Sequence, residues 1–401
     1  MNAARSPESR KLRIVHVFRA PLGGLFRHVI DLAAEQVARG HDVGLFFDSE
    51  FRGDNVATAL ARIDGGLPLG VLGYPIKRNP HLTDVPAIAQ LIANLRRIKP
   101  DIVHGHGSKG GLYARLPGFL PGGRGPVRAY TPHGGSFNYR PGTALHRLYM
   151  TTERLLSFTT DVFLFESAYI ADRYDAYVGA RHGLRRIVTN GIGAAEFEAV
   201  VPRADAADLL YVGELRAAKG IDTLLDAVAL AGATLGAPPR TVLAGSGPDK
   251  EILLARAQKL GIAEKISFVG PMPAREAFRL GRVLVAPSRA ESLPYIILEA
   301  AGARLPIVAT NVGGIPEIFG PYAHRLGPCD DPANLCARIL SAMALSEEDR
   351  QAQCAELATF VAANFSIETM VDSVMDGYRA ALALRALRKA TEATAKLHST
   401  T

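Results

Sequence analysis

Cysteine is scarce in this sequence, and long hydrophobic runs are missing from it. Three cysteines occur among 401 residues, separated by six and 17 residues, a spacing that fits neither a zinc knuckle nor a disulfide framework and suggests a reducing cytosol. No run reaches the ~18 apolar residues of a transmembrane helix. The N-terminal stretch MNAARSPESRKLRIVHVF lacks the apolar core of a signal peptide. We therefore expect a cytoplasmic protein with no membrane span and no metal bound through sulfur.

Size, composition and charge narrow the class further. At roughly 100–200 residues per domain, the length predicts two domains. Hydrophobic residues make up 48% and charged residues 21%, which argues against a disordered chain or a coiled coil. Residues 1–200 carry 25 Lys and Arg against 17 Asp and Glu, whereas residues 201–401 carry 21 against 22. A basic half is typical of proteins that bind nucleic acid, an anionic membrane surface or a phosphorylated substrate, and solubility alone is the simpler alternative.

Short apolar runs alternate with amphipathic stretches along the whole chain. The runs are continuous enough for parallel strands covered on both faces, and they lie at 14–18, 42–47, 101–106, 127–133, 162–167, 209–215, 241–247, 265–270, 283–288 and 306–310. Helical patterns lie at 28–40, 85–100, 223–232, 250–261, 295–303, 334–344 and from 366 onward.

The pattern restarts near residue 208, after a low-complexity stretch at 199–210 that we interpret as a linker. Repeated strand–helix units in each half predict an α/β fold of two doubly wound parallel sheets. We expect an N-terminal domain over 1–200, a second domain over 206–375, and a C-terminal helix with a frayed tail over 376–401. Two such domains leave a cleft at the carboxyl ends of their strands, where ligands of open α/β sheets bind.

Three loops of the first half have residues suited to chemistry. Gly23 and Gly24 open a helix after the first strand, where backbone N–H groups can approach an anion. The loop HGHGSKGG (104–111) suits a phosphate or a sugar, and we predict that His106 faces it. We expect the spacing of His104 and His106 to place them on opposite faces of a strand, which disfavours a metal site. His133, between a proline and two glycines, indicates an exposed substrate contact or proton carrier.

Two loops of the second half suit a nucleotide diphosphate. Arg216 and Lys219 follow a strand and would lie beside a helix N-terminus, which supplies positive charge without a metal. The stretch Gly245-Ser246-Gly247 also follows a strand, but Lys250 stands where the dinucleotide fingerprint requires glycine. We therefore favour a phosphate or nucleotide-base loop there. A tight or solvated turn is the structural alternative for such loops.

The segment PSRAESLPYIILEA (287–300) is the most informative one. Pro294 fits the first turn of a helix, with Ser292 near its cap. Glu291 then precedes the helix and Glu299 lies inside it, in an apolar stretch where a carboxylate is costly to bury without a partner. Two carboxylates at this spacing suit the hydroxyls of a sugar and of a ribose, whereas capping or a salt bridge is the structural alternative.

These segments resemble the retaining glycosyltransferases of family 4, which have the GT-B fold of two Rossmann-like domains facing across a cleft. The most specific element is the E-x7-E motif from Glu291 to Glu299, followed by LPIVATNVGGIPE. DIVHGHGSKGG, YTPHG, VTNGI, YVGELRAAKG and LAGSGP fall in the family's order. The resemblance covers nearly the whole chain and implies that the final helix crosses back onto the first domain.

The resemblance implies a role for each matching residue toward a nucleotide-sugar donor. Gly23 and Gly24 would approach the diphosphate, Arg216 and Lys219 would neutralise it, and His133 would contact the transferred sugar near the reacting centre. The carboxylates Glu291 and Glu299 would bind sugar hydroxyls and the ribose. The other contacts implied for the nucleotide and the sugar involve Gly245, Ser246, Gly247, Val269, Met272, Ser292 and Leu293.

The sequence departs from the family pattern at two places. The family usually has arginine directly after the VG pair, where this chain has Glu214, so Arg216 would take over its work. The common E-G-F-G is here Glu291-Ser-Leu-Pro294, and because proline has no N–H to donate, only the amides of Ser292 and Leu293 remain for the sugar.

The resemblance implies a metal-independent transfer with retention and no cofactor other than the donor. The basic first half, with Lys77, Arg78, Arg96, Arg97 and the stretch at 146–158, suits a glycan or polyprenyl-diphosphate-linked acceptor at the inner membrane surface. Exopolysaccharide or O-antigen assembly in bacteria would use such an enzyme. A sugar-nucleotide 2-epimerase of the same fold is the alternative. Nucleic-acid binding and dehydrogenase activity are disfavoured, because the sequence has neither a recognition motif nor the dinucleotide fingerprint.

Overall fold

A computed structural model describes residues 10–51, 53–120, 125–179 and 182–398. The chain forms two units, one of Met1–Thr189 with Glu368–Thr401 and one of Asn190–Ile367. The boundary falls before the predicted one at 200, and the chain returns to the first unit at Glu368 rather than at 376. The first nine residues, which belong to the stretch expected to lack a signal peptide, lie outside the described residues.

Seven parallel strands form the sheet of the first unit. They are β1 (Arg13–Val17), β2 (Asp42–Asp48), β3 (Gly70–Tyr74), β4 (Ile102–His106), β5 (Val127–Thr131), β6 (Val162–Phe165) and β7 (Leu184–Ile187), in the order β3-β2-β1-β4-β5-β6-β7. Five were predicted, and β3 and β7 were missed. Both lie at a sheet edge, where sequences such as GVLGY and LRRI need no continuous apolar run because they are not covered on both faces.

Helices pack on this sheet between the strands. They are α1 (Gly23–Ala38), α2 (Asp54–Ala61), α3 (Asp84–Ile98), α4 (Gly107–Arg115), α5 (Ala144–Ser157) and α6 (Ala168–Tyr177). As predicted, α3 ends before Pro100, and Lys99 follows it in a left-handed conformation with φ 51°. At the start of α5 the Thr143 hydroxyl accepts a hydrogen bond from the His146 N–H, a capping contact that satisfies one of the helix's first amides.

Five parallel strands, all of them predicted, form the sheet of the second unit. They are β8 (Ala207–Val212), β9 (Thr241–Ala244), β10 (Ile266–Phe268), β11 (Gly281–Ala286) and β12 (Ile307–Ala309), in the order β10-β9-β8-β11-β12. The linker prediction for 199–210 is wrong: β8 begins inside that stretch. The Val200 N–H also donates to the Ala303 carbonyl, 2.9 Å away, which binds the segment to the second unit.

The remaining helices include the long C-terminal one. They are α7 (Ile221–Leu235), α8 (Lys250–Lys259), α9 (Ala274–Ala277), α10 (Tyr295–Gly302), α11 (Ile315–Phe319), α12 (Pro332–Ala344), α13 (Glu347–Asn364) and α14 (Ile367–His398). As predicted, α14 packs on the first unit: Tyr378 is buried against His104, and Arg385 forms a two-pronged ion pair with Asp161. The segment expected to fray is helical as far as His398. Among the described helices, none has the length and apolarity to cross a bilayer.

The strand order reverses between β1 and β4 in one sheet and between β8 and β11 in the other. Connections leave such a switch point in opposite directions, so a crevice opens beyond the carboxyl ends of the two strands. In the first unit the loop before α1 and the end of β4 lie there. In the second unit it is the loops that follow β8 and β11. The topology therefore brings the predicted site loops of each unit to one edge of its sheet.

Candidate functional site

An ion pair between Lys219 and Glu291 lies at the switch point of the second unit. The Lys219 Nζ donates to Glu291 Oε1 at 2.6 Å, and the Ser288 hydroxyl donates to the same oxygen at 2.7 Å. The two charged side chains are 19% and 12% exposed, so the pair is largely shielded from water and its charge-assisted hydrogen bonds are strong. The structure thus joins two residues, predicted from separate loops, into one polar group.

The loop that positions Glu291 is anchored by polar residues that the sequence analysis did not assign to the site. The Thr310 hydroxyl donates to the Ser288 carbonyl at 2.6 Å, and both residues are buried. Asn190 donates from Nδ2 to the Leu293 carbonyl at 2.7 Å. Ser288 and Thr310 are the last residues of two predicted strand runs, and that position was the signal that could have found them.

Two glycines let neighbouring loops approach the Glu291 loop closely. Gly313 has φ +61°, and a Cβ built there would lie 1.9 Å from the Glu291 carbonyl oxygen. Gly220 has φ +64°, and its Cβ would lie 2.0 Å from the Pro287 carbonyl oxygen. Any side chain at either position would push the loop away, so these glycines set the place of Glu291.

The second carboxylate of the motif lies where the sequence placed it. α10 begins directly after Pro294, so Glu291 precedes the helix and Glu299 is half-buried within it. Leu293 is buried, whereas Ser292 stays partly accessible. The two carboxylates are therefore held by different elements, a loop and a helix, as binding to two separate groups requires.

Arg216 has a partner that the sequence did not predict. Its Nε lies 3.1 Å from Glu214 Oε2, and both side chains are about half exposed. The Tyr211 hydroxyl donates to the Glu214 carbonyl at 2.8 Å and fixes this turn. The Glu214 carboxylate therefore holds Arg216 at the carboxyl edge of the sheet, and the expectation that Arg216 replaces the family's arginine stays a prediction.

The remaining predicted contacts of the second unit follow β9 and β10. Gly245, Ser246 and Gly247 directly follow β9, and the Ser246 carbonyl accepts from the Leu215 N–H at 2.9 Å, which joins this loop to the one after β8. Val269 is 41% exposed, whereas Met272 is partly buried against the core. These residues share the carboxyl edge of the sheet, and their contact with a nucleotide stays a prediction.

In the first unit the predicted glycine turn opens a helix. Gly23 and Gly24 are the first two residues of α1, and both are exposed. α1 has 16 residues, so its N-terminus carries the partial positive charge that attracts an anion. The contact of this turn with a diphosphate stays a prediction.

Five histidines form a cluster beside this turn. They come from β1, α1, β4 and the loop after β5: His16, His28, His104, His106 and His133. The expectation that His104 and His106 point to opposite faces is wrong, because residues two apart in a strand share a face. Their ring centroids are 3.8 Å apart. The argument against a metal site at His104 and His106, which was built on that expectation, therefore no longer holds.

The structure also corrects two expectations about accessibility. His106 is 1% exposed, and its nitrogens lie 3.0 Å from His16 Nδ1 and 3.1 Å from His133 Nε2. His106 was predicted to face a phosphate or a sugar, but both of its ring nitrogens face other histidines. It therefore supports His133 instead. His133 is half-buried rather than exposed, and its φ of 52° is a left-handed strain typical of functional sites.

Burial keeps the rings of His16, His104, His106 and His133 neutral. It lowers the pKa of His16 to about 4. It also holds the pKa of His104, His106 and His133 well below the ordinary value, and charge on neighbouring histidines would lower them further. Neutral imidazole is both the metal-ligating form and the form that can accept a proton.

Two groups of three histidines have ligand atoms within 4.8 Å of one another: His16, His104 and His106, and His28, His106 and His133. Nitrogen ligands of this kind suit zinc, copper or nickel. In both groups the ring nitrogens of His106 already face other histidines.

Comparison with known proteins identifies the class. Residues 22–196 match the family described as Glycosyltransferase Family 4, and residues 194–358 match Glycosyl transferases group 1. The chain is 29% identical over 352 residues to glycogen synthase of Mycobacterium tuberculosis, covering 80% of this chain and 83% of that protein. It is 30% identical over 263 residues to the putative glycosyltransferase EpsD of Bacillus subtilis, covering 61% and 68%.

The fold is shared with Anabaena Alr3699/HepE, whose structure was determined in complex with UDP-glucose. The two superpose with a TM-score of 0.73 at 16% identity, over 91% of this chain and 98% of that one. The chain therefore belongs to the group 1 glycosyltransferases of GT-B type, as the resemblance of its motifs implied.

Proposed function

We propose that this protein is a retaining glycosyltransferase that moves a sugar from a UDP- or GDP-sugar to a glycan or polyprenyl-diphosphate-linked acceptor in bacterial surface polysaccharide biosynthesis. The observation that carries the proposal is the shielded Lys219–Glu291 pair at the switch point of the second sheet. The similarity to a glycogen synthase supports a glycan acceptor.

The pair suits a nucleotide-sugar because each partner has a second task. When a diphosphate arrives, Lys219 shifts from the carboxylate to the phosphate oxygens, and Glu291 becomes available to sugar hydroxyls. Arg216, half-exposed, and the N-terminus of α7 add positive charge nearby. These groups stabilise the charge that develops on the departing nucleotide diphosphate.

The same arrangement supports front-face transfer with retention. Glu291 is held by a lysine and a serine, so we assign it to binding rather than to nucleophilic attack. The departing phosphate oxygen then helps to remove the proton of the acceptor hydroxyl, and His133 contacts the transferred sugar. Because side chains and helix ends neutralise the diphosphate, we expect transfer to continue in EDTA.

The test is donor binding and hydrolysis across UDP-, GDP- and ADP-sugars in the presence of EDTA. We expect tight binding of one donor, its loss in Glu299→Ala, and unchanged binding in Glu251→Ala, a helical glutamate on the surface of α8. NMR of the product should show the donor's anomeric configuration. Binding of none of the donors would contradict the diphosphate assignment. Release of an epimerised sugar nucleotide without acceptor would favour the epimerase.

The outer face of α5 supports an acceptor at a membrane surface. Leu148 and Leu155 on α5 and Phe158 directly after it are 58%, 57% and 61% exposed, and they alternate with exposed Arg147 and Arg154. Apolar side chains beside basic ones are typical of helices that lie in the headgroup region of anionic membranes. Each basic residue adds about 1 kcal/mol near such a surface.

Flotation with vesicles of phosphatidylglycerol tests this contact. We expect the protein to float with the vesicles at low salt, and Leu148→Glu with Phe158→Glu to abolish it. Ile252→Glu, a change of an equally exposed residue in the second unit, should have no effect. Equal flotation of all three proteins, or no flotation of the parent, would remove the membrane proposal and leave the donor site untouched.

A further inference from the structure

The histidine cluster contains a continuous chain of hydrogen bonds that ends at His133. His133 Nε2 lies 3.1 Å from His106 Nδ1, His106 Nε2 lies 3.0 Å from His16 Nδ1, and His16 Nε2 lies 2.8 Å from Gln36 Oε1. Gln36, His16 and His106 are 0–1% exposed. The chain therefore links the core of the first unit to the residue assigned to the transferred sugar.

We infer that Gln36 is a positioning residue that, through His16 and His106, places the proton of His133 on Nε2 and leaves Nδ1 as a hydrogen-bond acceptor for a sugar or acceptor hydroxyl. The inference rests on the function proposed for His133. It concerns the donor and the acceptor of each hydrogen bond between Gln36 and His133. These directions follow from the chemistry of Gln36, the buried end of the series.

The orientation of the Gln36 amide is decided by its neighbours. Gln36 Nε2 lies 3.8 Å from the sulfur of Met375, and a thioether can accept a hydrogen bond but cannot donate one. A hydrogen bond from Gln36 to Tyr378 also opposes the rise that burial causes in the pKa of the tyrosine hydroxyl. The amide nitrogen therefore faces Met375 and Tyr378, and the carbonyl oxygen faces His16.

The direction then propagates along the chain one ring at a time. The Gln36 Oε1 can only accept, so the proton of His16 is on Nε2 and its Nδ1 accepts. His106 must therefore donate from Nε2, which leaves its Nδ1 to accept from the Nε2–H of His133. Each ring must be neutral for this rule to hold, and burial keeps the pKa of all three below the ordinary value.

The backbone holds His133 in the position that the chain requires. His133, Gly134 and Gly135 all have positive φ, of 52°, 71° and 37°, so the loop after β5 turns sharply and returns the ring to the cluster. His28 meets that ring edge-on, with centroids 4.8 Å apart. Ring position and proton position are thus fixed by separate contacts.

The test is the tautomer of each histidine, read from long-range proton–nitrogen correlation spectra of the protein labelled with ¹⁵N on histidine, recorded at pH 7.5. In the parent protein we expect His16, His106 and His133 all to be protonated on Nε2. In Gln36→Leu, which removes the acceptor, we expect His133 to show both tautomers. Thr131→Val, which removes a buried partner of His104 outside the chain, should leave the His133 signal unchanged.

The kinetic readout is kcat at saturating donor and acceptor. The Nδ1 of His133 is assigned to one hydrogen bond that positions a hydroxyl, and a bond of this kind contributes roughly tenfold. Partial loss of the correct tautomer in Gln36→Leu should therefore lower kcat by up to about tenfold and leave the donor KM unchanged. His16→Phe, which breaks the chain one ring later, should reproduce both effects, whereas a defect of folding alone would not change the tautomer.

An Nδ1–H form of His133 in the parent protein would overturn the inference without any variant, as would a His133 signal that Gln36→Leu leaves unaltered. A transition metal found bound to these histidines in the purified protein would also overturn it, because a metal would replace the shared protons. Absence of any glycosyl transfer, with the tautomers as expected, would instead count against the proposed function. The two failures are therefore distinguishable.

Discussion

At the scale of single residues, the Lys219–Glu291 pair determines what the second unit can bind. Lys219→Met should lower kcat/KM by about 10²–10³-fold, since it removes one positioned donor to the leaving group. It should also reduce the free energy of unfolding by about 1–3 kcal/mol, because a shielded carboxylate loses a partner. Steady-state kinetics and urea unfolding check both effects. Lys250→Met, an exposed lysine on α8, is the control, and equal kinetics in the two variants would contradict the assignment.

The Arg216–Glu214 pair predicts opposite effects for its two members. Arg216→Ala should weaken binding of the donor nucleotide about tenfold, the scale of one hydrogen bond to a charged group. Glu214→Ala frees the arginine, so nucleotide binding should be retained or become tighter. Exposed ion pairs contribute at most about 1 kcal/mol, so stability should hardly change. Calorimetric titration with the donor nucleotide measures the affinity of each variant. An unaltered affinity in Arg216→Ala would show that Arg216 does not replace the family's arginine.

At this scale the sequence was informative about residue types and much less so about their surroundings. The E-x7-E spacing placed Glu291 before a helix and Glu299 inside it, because a proline-started helix is a local feature. It did not show that Ser288 and Lys219 meet at one oxygen of Glu291, or that His106 is enclosed by other histidines. Those contacts join residues up to 90 positions apart, and no local pattern encodes them.

At the scale of elements, two loops of the second unit are in contact only because one residue lacks a side chain. In Gly313→Ala the new Cβ would meet the Glu291 carbonyl, and the left-handed φ would add strain. We expect a loss of about 3 kcal/mol in the free energy of unfolding together with weaker donor binding. Gly236→Ala, also at a positive φ but with open space around it, should lose about 1 kcal/mol and bind donor normally.

Urea unfolding and donor titration of the two variants form the comparison. Equal losses in both would mean that backbone strain alone acts and that the Glu291 loop tolerates displacement.

The elements themselves were largely predictable, because strands covered on both faces are continuously apolar. The edge strands β3 and β7 were not predicted, because they are not covered on both faces and have no continuous apolar run.

At the scale of the whole molecule, the buried histidines make the first unit sensitive to acid. Burial lowers the pKa of His16 from 6.5 to about 4 and lowers that of three neighbours. The unfolded chain therefore binds more protons than the folded one below pH 6.5, so stability is complete above that value and falls as the pH falls toward 4. His16 should contribute a slope of about 1.4 kcal/mol per pH unit in that window, and the lowered pKa values of His104, His106 and His133 act in the same direction.

Urea unfolding at pH 8, 7, 6 and 5 measures this slope. His16→Phe should reduce it by the contribution of one histidine. Stability that is constant between pH 8 and pH 5 would contradict the neutral, buried state of the cluster.

The sequence by itself determined the α/β class, most strands, the E-x7-E helix and the resemblance to group 1 glycosyltransferases, because alternation, capping and motif spacing act over short stretches. Only the tertiary structure decided that Lys219 and Glu291 share an ion pair and that a glutamine on α1 ends a chain of histidines. Parallel strands bring together loops that are far apart in sequence, so the register of the sheet, and not any local pattern, chooses which side chains meet.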